Sequence, residues 1–485
     1  MSRNGPRLHV ALGKLLLTFT FLFGCNSSTP RDPIACEPLT EPLPDILPDD
    51  PGRLRAEPED DQAYLYQDDV LRTYELKLDE ADLEKLDQDP VAEQYVPGTL
   101  QFEGKEYGPI GIRYIGSFGA WVGCTANSPP GGPPETWLNV GGRKVCPKLS
   151  LKISFNKYQK EGKFFGVKKL VFHAMNQDPS LMRERLGYQL FQEMGVPAPR
   201  TVHALVRING EFAGVFLNVE HIDGRFTRSR FADGEGNLYK EIWPTASFNQ
   251  TPPTETRFLG GLRTNRDENP SVEKILTFGE AAMHQVADIR TQAAADWLSI
   301  NSTMSFIAVD RTIRADDGPF HFWCNGERCD NHNFFIYEEA NADRLWLVPW
   351  DLDNAFVVNS KGTAADRFLT VIDEWDNPNA RCGPRFGSLG WAEQMAPSCD
   401  PLLRTLGCNY HSQYEASVAR LLEGPFSESS VEADLNRWAA QIEDAVVRAN
   451  EQDAAQLSPD AWQASLVDFK ERVRLLRARA APVIQ

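Results

Sequence analysis

At 485 residues the chain is longer than one hydrophobic core normally serves, which excludes a single small module and predicts two lobes or domains. Hydrophobic residues at 42% and charged residues at 24% exclude wholesale disorder. A net charge of −18 argues against a nucleic-acid binder, because phosphate backbones demand clustered Lys and Arg.

At the N-terminus, Arg3, Arg7 and Lys14 precede an apolar run from Leu15 to Phe23 that is too short to span a bilayer. It closes on Leu22-Phe23-Gly24-Cys25, which resembles a bacterial lipoprotein signal; a plain cleaved signal peptide is the alternative. Residues 1–24 are therefore expected to be removed, and Cys25 to carry lipid that anchors an exported chain to a membrane of the cell envelope. Residues 25–62 are rich in Pro, Asp and Glu without an apolar period, which predicts a disordered spacer. Setting Cys25 aside from nine cysteines leaves eight, an even number that suits disulfides in an exported chain. Cys124 with Cys146 would close the Pro/Gly-rich stretch that holds Pro129 to Pro134.

Val70 to Leu78 alternates as a strand, and Asp79 to Leu86 reads as a short helix opened by Asp79. Strands over 98–102 and 107–115 lead into Gly116-Ser117-Phe118-Gly119, a turn that either brings backbone amides to a phosphate or is only a turn. Leu149, Leu151, Ile153 and Phe155 alternate with Lys148, Ser150, Lys152 and Ser154. One face of that strand is core and the other carries two ammonium groups. A helix is predicted from Asp178 to Gly195, with Asp178 as N-cap, Pro179 at the first position, and Gly195 and Pro197 as the stop. Met182, Leu186, Leu190 and Met194, with Phe191 alongside, form its buried stripe. Glu184 lies off that stripe, where it either pairs with a strand Lys or makes a surface ion pair. Asn209-Gly210 between two apolar runs, Val202 to Ile208 and Phe212 to Val219, predicts a hairpin that ends at Glu220. Thr245 to Pro270 reads as a polar linker or insertion, followed by helices over Val286–Met304, Glu432–Asn450 and Pro459–Ile484.

Among those helices, Phe334 to Tyr337 and Leu345 to Val348 have strand length and composition. Asp351 and Asp353 alternate with Trp350 and Leu352, so an extended chain would send both carboxylates to one face. One or two carboxylates plus phosphate oxygens typically hold Mg²⁺. Asp310, Asn333 and Asp351 follow the order in which protein kinases place an acceptor-facing Asp, a metal-binding Asn and a metal-binding Asp. Residues 314–331 interrupt that order as an insertion. In and beside it His321, Cys324, Cys329 and His332 have zinc-ligand spacing, but a Cys324–Cys329 disulfide is the reading preferred for an exported chain.

These motifs occur in order: Lys148 to Phe155, Asp178 to Leu186, Asn209 to Glu220, Gly236-Asn237-Leu238-Tyr239-Lys240, His332-Asn333, and Pro349-Trp350-Asp351-Leu352-Asp353. Over roughly Val70 to Phe356 the chain resembles the spore-coat-protein-H (CotH) family of atypical protein kinases. The resemblance implies a two-lobed α+β kinase-like fold over 63–485. Its N-lobe, about 63–240, would be β-rich and its C-lobe, about 272–485, mostly helical. It also implies ATP with Mg²⁺ or Mn²⁺, and transfer of phosphate to a hydroxyl, Ser or Thr of a protein substrate. Asp310 would then be the catalytic Asp, and Asn333, Asp351 and Asp353 the metal ligands. Lys148 or Lys152, held by Glu184, would steady the phosphates, and Glu220 would lead into the inter-lobe cofactor site. The alternative is a non-catalytic surface or envelope structural protein that keeps the fold. A metal-dependent hydrolase built on Asp351 and Asp353 is weaker, because the further ligands of two-metal sites are missing.

Overall fold

The computed structural model describes residues 36–44, 54, 61–131, 139–246, 252–266, 269–315, 317–325, 328–356, 375–383, 385–386 and 393–484. The apolar N-terminal run and Cys25 lie outside the described residues.

Seven strands close a barrel in the order β1-β2-β3-β4-β5-β7-β6. They are β1 (Arg72–Lys77), β2 (Val96–Phe102), β3 (Lys105–Tyr114), β4 (Leu151–Ser154), β5 (Lys169–His173), β6 (Thr201–Ile208) and β7 (Glu211–Val219). The closing pair β1–β6 is parallel, while the neighbouring pairs are antiparallel. Closure leaves no free edge to pair with another chain. Strand alternation fills the interior: Tyr74, Leu76, Leu100, Phe102, Ile153, Phe172 and Val206 belong to one buried cluster. Leu149, Leu151, Ile153 and Phe155 are buried as their spacing predicts. Asn209 and Gly210 both take positive φ, 50° and 86°, which is the primed turn that joins β6 to β7.

Helices α1 (Glu80–Gln88) and α2 (Phe118–Trp121) accompany the barrel, and α3 (Arg183–Glu193) leads from it into a second core. That helix starts later than the sequence suggests, because Leu181 sits at a left-handed φ of 62°. Asp178 nevertheless serves its N-terminus: the carboxylate accepts from the backbone N–H of Arg183 at 2.8 Å and of Ser180 at 3.0 Å. Met182, Leu186, Leu190, Phe191 and Met194 pack with Phe306, Leu435, Trp438 and Trp462 in the second core.

The second lobe continues through α4 (Gly224–Arg230), β8 (Asn237–Lys240), α5 (Glu255–Gly261), α6 (Glu273–Ala282), α7 (Ala287–Trp297) and α8 (Ile300–Thr312). After these come β9 (Phe322–Asn325), β10 (Arg328–Asp330), β11 (Phe334–Glu338), β12 (Leu345–Pro349), β13 (Arg385–Phe386) and β14 (Glu393–Met395). Helices α9 (Pro401–Asn409), α10 (His411–Glu423), α11 (Glu428–Gln452) and α12 (Pro459–Ala480) complete it. The architecture is α+β, with a β-rich lobe and a mostly helical one. Three details differ from the sequence reading. Helix α5 lies inside the expected linker, and β8 pairs with β11, so it belongs to the second lobe. The helix expected over Val286–Met304 is two, because Leu298 and Ser299 are extended and the Ser299 hydroxyl caps α8 by accepting from Ser302 N–H.

Four disulfides join Cys36–Cys408, Cys124–Cys146, Cys324–Cys329 and Cys382–Cys399. Cys324 and Cys329 face each other across the β9–β10 hairpin and bond to each other, which removes both from any zinc site. The bond from Cys36 to α9 corrects the expectation of a spacer disordered throughout. Glu37 pairs with Arg290 at 3.0 Å, and the Thr40 hydroxyl donates to Asp288 at 2.7 Å, so residues 36–44 lie against α7 and α9.

Candidate active site

The register of β11 and β12 sets Phe334 opposite Pro349, so Asn333 and the Trp350-Asp351 pair emerge at the same end of the sheet. Trp350 N–H donates to the Asn333 carbonyl at 3.1 Å. Asn333 and Asp351 both occupy the left-handed region, with φ of 57° and 53°. Asn and Asp tolerate that conformation better than other side-chain-bearing residues, and such strain gathers at functional sites. The Asp351 N–H donates to the Tyr188 hydroxyl of α3 at 2.8 Å. The expected mechanism of bringing Asp351 and Asp353 together therefore needs correcting. The chain turns after β12 instead of running extended, and yet the two carboxylates are close enough to perturb each other.

Strand β5 ends at His173, beside β4, and its imidazole meets Glu184 from the first turn of α3. Nδ1 lies 2.8 and 3.0 Å from the two Glu184 oxygens. This corrects the expected partnership, since Glu184 pairs with a histidine rather than with Lys148 or Lys152. His173, Glu184 and Asp351 each offer a ligand atom within 4.8 Å of the others. Burial pushes the His173 imidazole down, but Glu184, by charge and hydrogen bond, with Asp351 and Asp353, outweighs it and raises it to about 9. Burial, then Glu184 and Asp317, raise the Asp351 carboxyl to about 6 against the pull of His173. Asp353 is raised by burial and by the carboxylates of Asp351 and Glu184.

A cleft of about 640 Å³ opens above this group, large enough for a nucleotide. Glu184, His173, Asp351, Asp353 and Lys240 line it, as do Lys148, Lys152 and Gly116, Ser117 and Gly119 of the glycine turn. Burial lowers the Lys148 ammonium to about 7, and its Nζ donates to the Val215 carbonyl. Lys152 also falls to about 7, through burial and then the charges of Lys169 and Arg113. Burial, and then the charges of Lys152, Lys169, Lys240 and Arg113, hold the His221 imidazole well below its ordinary value. Lys148, Lys152 and Lys240 thus give the cleft a basic wall that shares its lining with the carboxylates of Glu184, Asp351 and Asp353.

Three expected site residues, Asn333, Asp310 and Glu220, do not line the cleft. Asp310 is 1% exposed near the end of α8, paired with Arg311 Nε at 3.0 Å. Burial raises its carboxyl and Arg311 opposes that. The residue that reaches the Asn333 end of the sheet is Asp317, from the inserted segment. Its Oδ2 accepts from Asn333 Nδ2 at 3.0 Å and its Oδ1 from the Trp323 indole at 2.7 Å. Burial raises Asp317, with His332 opposing, and its charge in turn reaches Asp351 and Asp353.

Glu220 is the third of these residues. It is 1% exposed and accepts from Arg200 at 2.9 Å, from Gln62 at 2.9 Å and from Arg230. Burial alone would raise its carboxyl, but Arg230 and Arg200 outweigh burial and hold it below the usual range. Its work is to bind the barrel to α4. Glu220→Gln would leave two guanidinium groups without their counter-charge, at a cost of about 3–5 kcal/mol. A lower melting temperature with unchanged nucleotide affinity of the folded fraction is expected; unchanged melting would remove this assignment.

The imidazole also predicts a pH dependence. His173 is raised above its unfolded value of 6.5, so its contribution is complete below pH 6.5 and is lost as pH rises through about 9. That is about 3 kcal/mol across the window. Metal-free protein melted from pH 6 to 10 should lose stability there, and His173→Gln should flatten the loss.

Comparison with known proteins adds the following. The family model described as CotH kinase protein matches residues 140–477. Inner spore coat protein H of Bacillus subtilis is 27% identical over 207 residues, 42% of this chain and 54% of that one. The Inner spore coat protein H-like protein of the same organism is 39% identical over 79 residues, 16% of this chain and 24% of that one. The matches thus span about half or less of these relatives' own lengths. The crystal structure of the Helicobacter pylori proinflammatory kinase CtkA covers 65% of this chain and 94% of its own, at 10% identity and a TM-score of 0.23. That superposition is too loose to bear on fold or function.

Proposed function

The chain belongs to the CotH kinase family, and from that premise we propose that it transfers the γ-phosphoryl group of ATP to a Ser or Thr hydroxyl of a protein. The observation that carries this reading is the cleft itself. Carboxylates of Glu184, Asp351 and Asp353 line one cleft with a basic wall that holds Lys152 and Lys240, around a volume that suits a nucleotide. A phosphate chain would relieve the crowding of Lys152 with Lys169 and Arg113 and so stay in register with that wall.

The carboxyls of Asp351 and Asp353, partly buried and close enough to perturb each other, are oxygen donors that fit Mg²⁺ or Mn²⁺, and Asn333 at the same end of the sheet is proposed to join them. A divalent cation there would supply neutralisation of charge between the phosphates. Asp317, fixed by Asn333 and the Trp323 indole, is the residue to receive or orient the acceptor hydroxyl proton. His173 takes the Glu184 contact that a strand lysine makes in protein kinases. Catalysis in this reading rests on positioning and charge neutralisation.

Purified protein incubated with γ-labelled ATP and Mg²⁺ or Mn²⁺ tests the reading, with label on itself or on an envelope extract as the expected result. If no nucleotide binds with either metal, the proposal falls and the non-catalytic envelope reading replaces it. We also propose that the chain is exported and anchored through lipid on Cys25. Cys25→Ser should then move the protein from membranes to the soluble fraction, and retention on membranes in high salt would overturn that.

A further inference from the structure

Three separate elements, the end of β5, the first turn of α3 and the turn after β12, bring His173, Glu184 and Asp351 together. Kinase-like chemistry needs only the oxygen ligands of this group. The imidazole has no part in holding Mg²⁺, which prefers oxygen. We propose that His173, Glu184 and Asp351 form a binding site for a first-row transition ion, occupied without nucleotide, with Zn²⁺ as its probe.

Geometry is the first support. Two ligands at about 2.1 Å from one tetrahedral ion lie ~3.4 Å apart. The imidazole Nδ1 and a Glu184 oxygen are already 2.8 Å apart. All three ligand atoms lie within 4.8 Å of one another, so closure on a tetrahedral ion needs side-chain shifts of at most about 1.4 Å. His173 and Glu184 are 9% and 3% exposed, and their backbones belong to a strand and a helix, so the group is held in place before any ion arrives.

Charge is the second. Glu184, Asp351 and Asp353 bring three carboxylates to one buried spot, with Asp317 near enough to add to their field. Against them stand the imidazole and the Lys240 ammonium, which Glu241 shares at 3.5 Å. Burial and mutual repulsion push the Asp351 and Asp353 carboxyls up, and a divalent ion between the carboxylates removes that repulsion. The third is donor chemistry. Oxygen-only sites suit Mg²⁺, Ca²⁺ and Mn²⁺, whereas an imidazole shifts preference towards Zn²⁺, Fe²⁺ and Ni²⁺. The eight cysteines of the described residues are paired in disulfides, so none competes as a thiolate.

The site shares Asp351 with the proposed phosphotransfer, but its existence does not depend on that reading. Untagged, metal-free protein is dialysed against Zn²⁺ or Mg²⁺, each alone and without nucleotide. One equivalent of Zn²⁺ should bind at least ~10-fold more tightly than Mg²⁺, and His173→Gln and Glu184→Gln should each lose ~10-fold or more of that affinity. Equal affinity for the two ions, or wild-type Zn²⁺ binding by both variants, overturns the proposal. X-ray absorption of the zinc-loaded wild type covers the case in which a variant fails to fold. Imidazole nitrogen in the ligand set supports the site, and oxygen donors alone overturn it. ATP titration of the same preparation tests the phosphotransfer reading on its own, so either can fail without the other.

Discussion

Asp317→Asn is expected to keep metal-dependent ATP binding and to lower phosphate transfer by ~10² or more, the scale of losing a general base or an orienting group. The amide keeps one acceptor oxygen, enough for either the Trp323 indole or the Asn333 amide, so the segment before β9 that carries residue 317 keeps one of its two anchors. Asp310→Asn should behave in the opposite way. It removes the counter-charge of Arg311 inside the second core, where breaking a buried pair costs about 3 kcal/mol or more. Its melting temperature should fall while turnover per folded molecule stays near wild type. Calorimetry, nucleotide titration and single-turnover transfer on both variants separate the two roles. Normal transfer by Asp317→Asn, or loss of transfer by a stable Asp310→Asn, would reverse this assignment.

Asp351→Asn should abolish nucleotide binding in the presence of metal and turnover together, because one carboxylate of the oxygen set is gone. The same substitution should raise the melting temperature of the metal-free protein at neutral pH. The folded carboxyl is raised to about 6 from its ordinary value of 3.8, so its contribution is complete below pH 3.8 and lost as pH rises through 6. At neutral pH the ionised group is therefore a burden on the metal-free fold, and the amide relieves it. A variant that melts lower, or that binds Mg-ATP as wild type does, would show that Asp351 is structural.

The barrel was readable because its signals are local. The alternation of Leu149 to Phe155 marks a strand, and Asn209-Gly210 marks a hairpin whatever surrounds it. The helix stripe from Met182 to Met194 was readable for the same reason, but its start was not. Leu181 at positive φ carries no sequence signal, and Asp178 looks like a cap because it reaches Arg183 from outside the helix. The site was harder, since it is assembled from residues far apart in the chain. His173 ends an apolar run, Lys169 to His173, and nothing in its spacing connects it to Glu184. A polar residue closing a buried strand just before Asp178 was the available hint. Asp317 was missed because it lies in the inserted segment, and order along the chain favoured Asp310 on the regular helix before it. Glu220 looked like a hinge residue by position, but its three partners become visible only when Arg200, Arg230 and Gln62 converge on it.

The Cys36–Cys408 bond gives the proposed anchor a length. A spacer free as far as residue 62 would let the two lobes roam widely above a membrane. With Cys36 fastened to α9, the leash from a lipid on Cys25 runs over roughly eleven residues, a contour of at most ~40 Å. The helical lobe would then hover within about its own diameter of the bilayer, and only acceptors in that thin layer could reach the cleft. Reducing this one bond, with the Glu37 and Thr40 contacts left to hold alone, would lengthen the leash and widen the layer it serves.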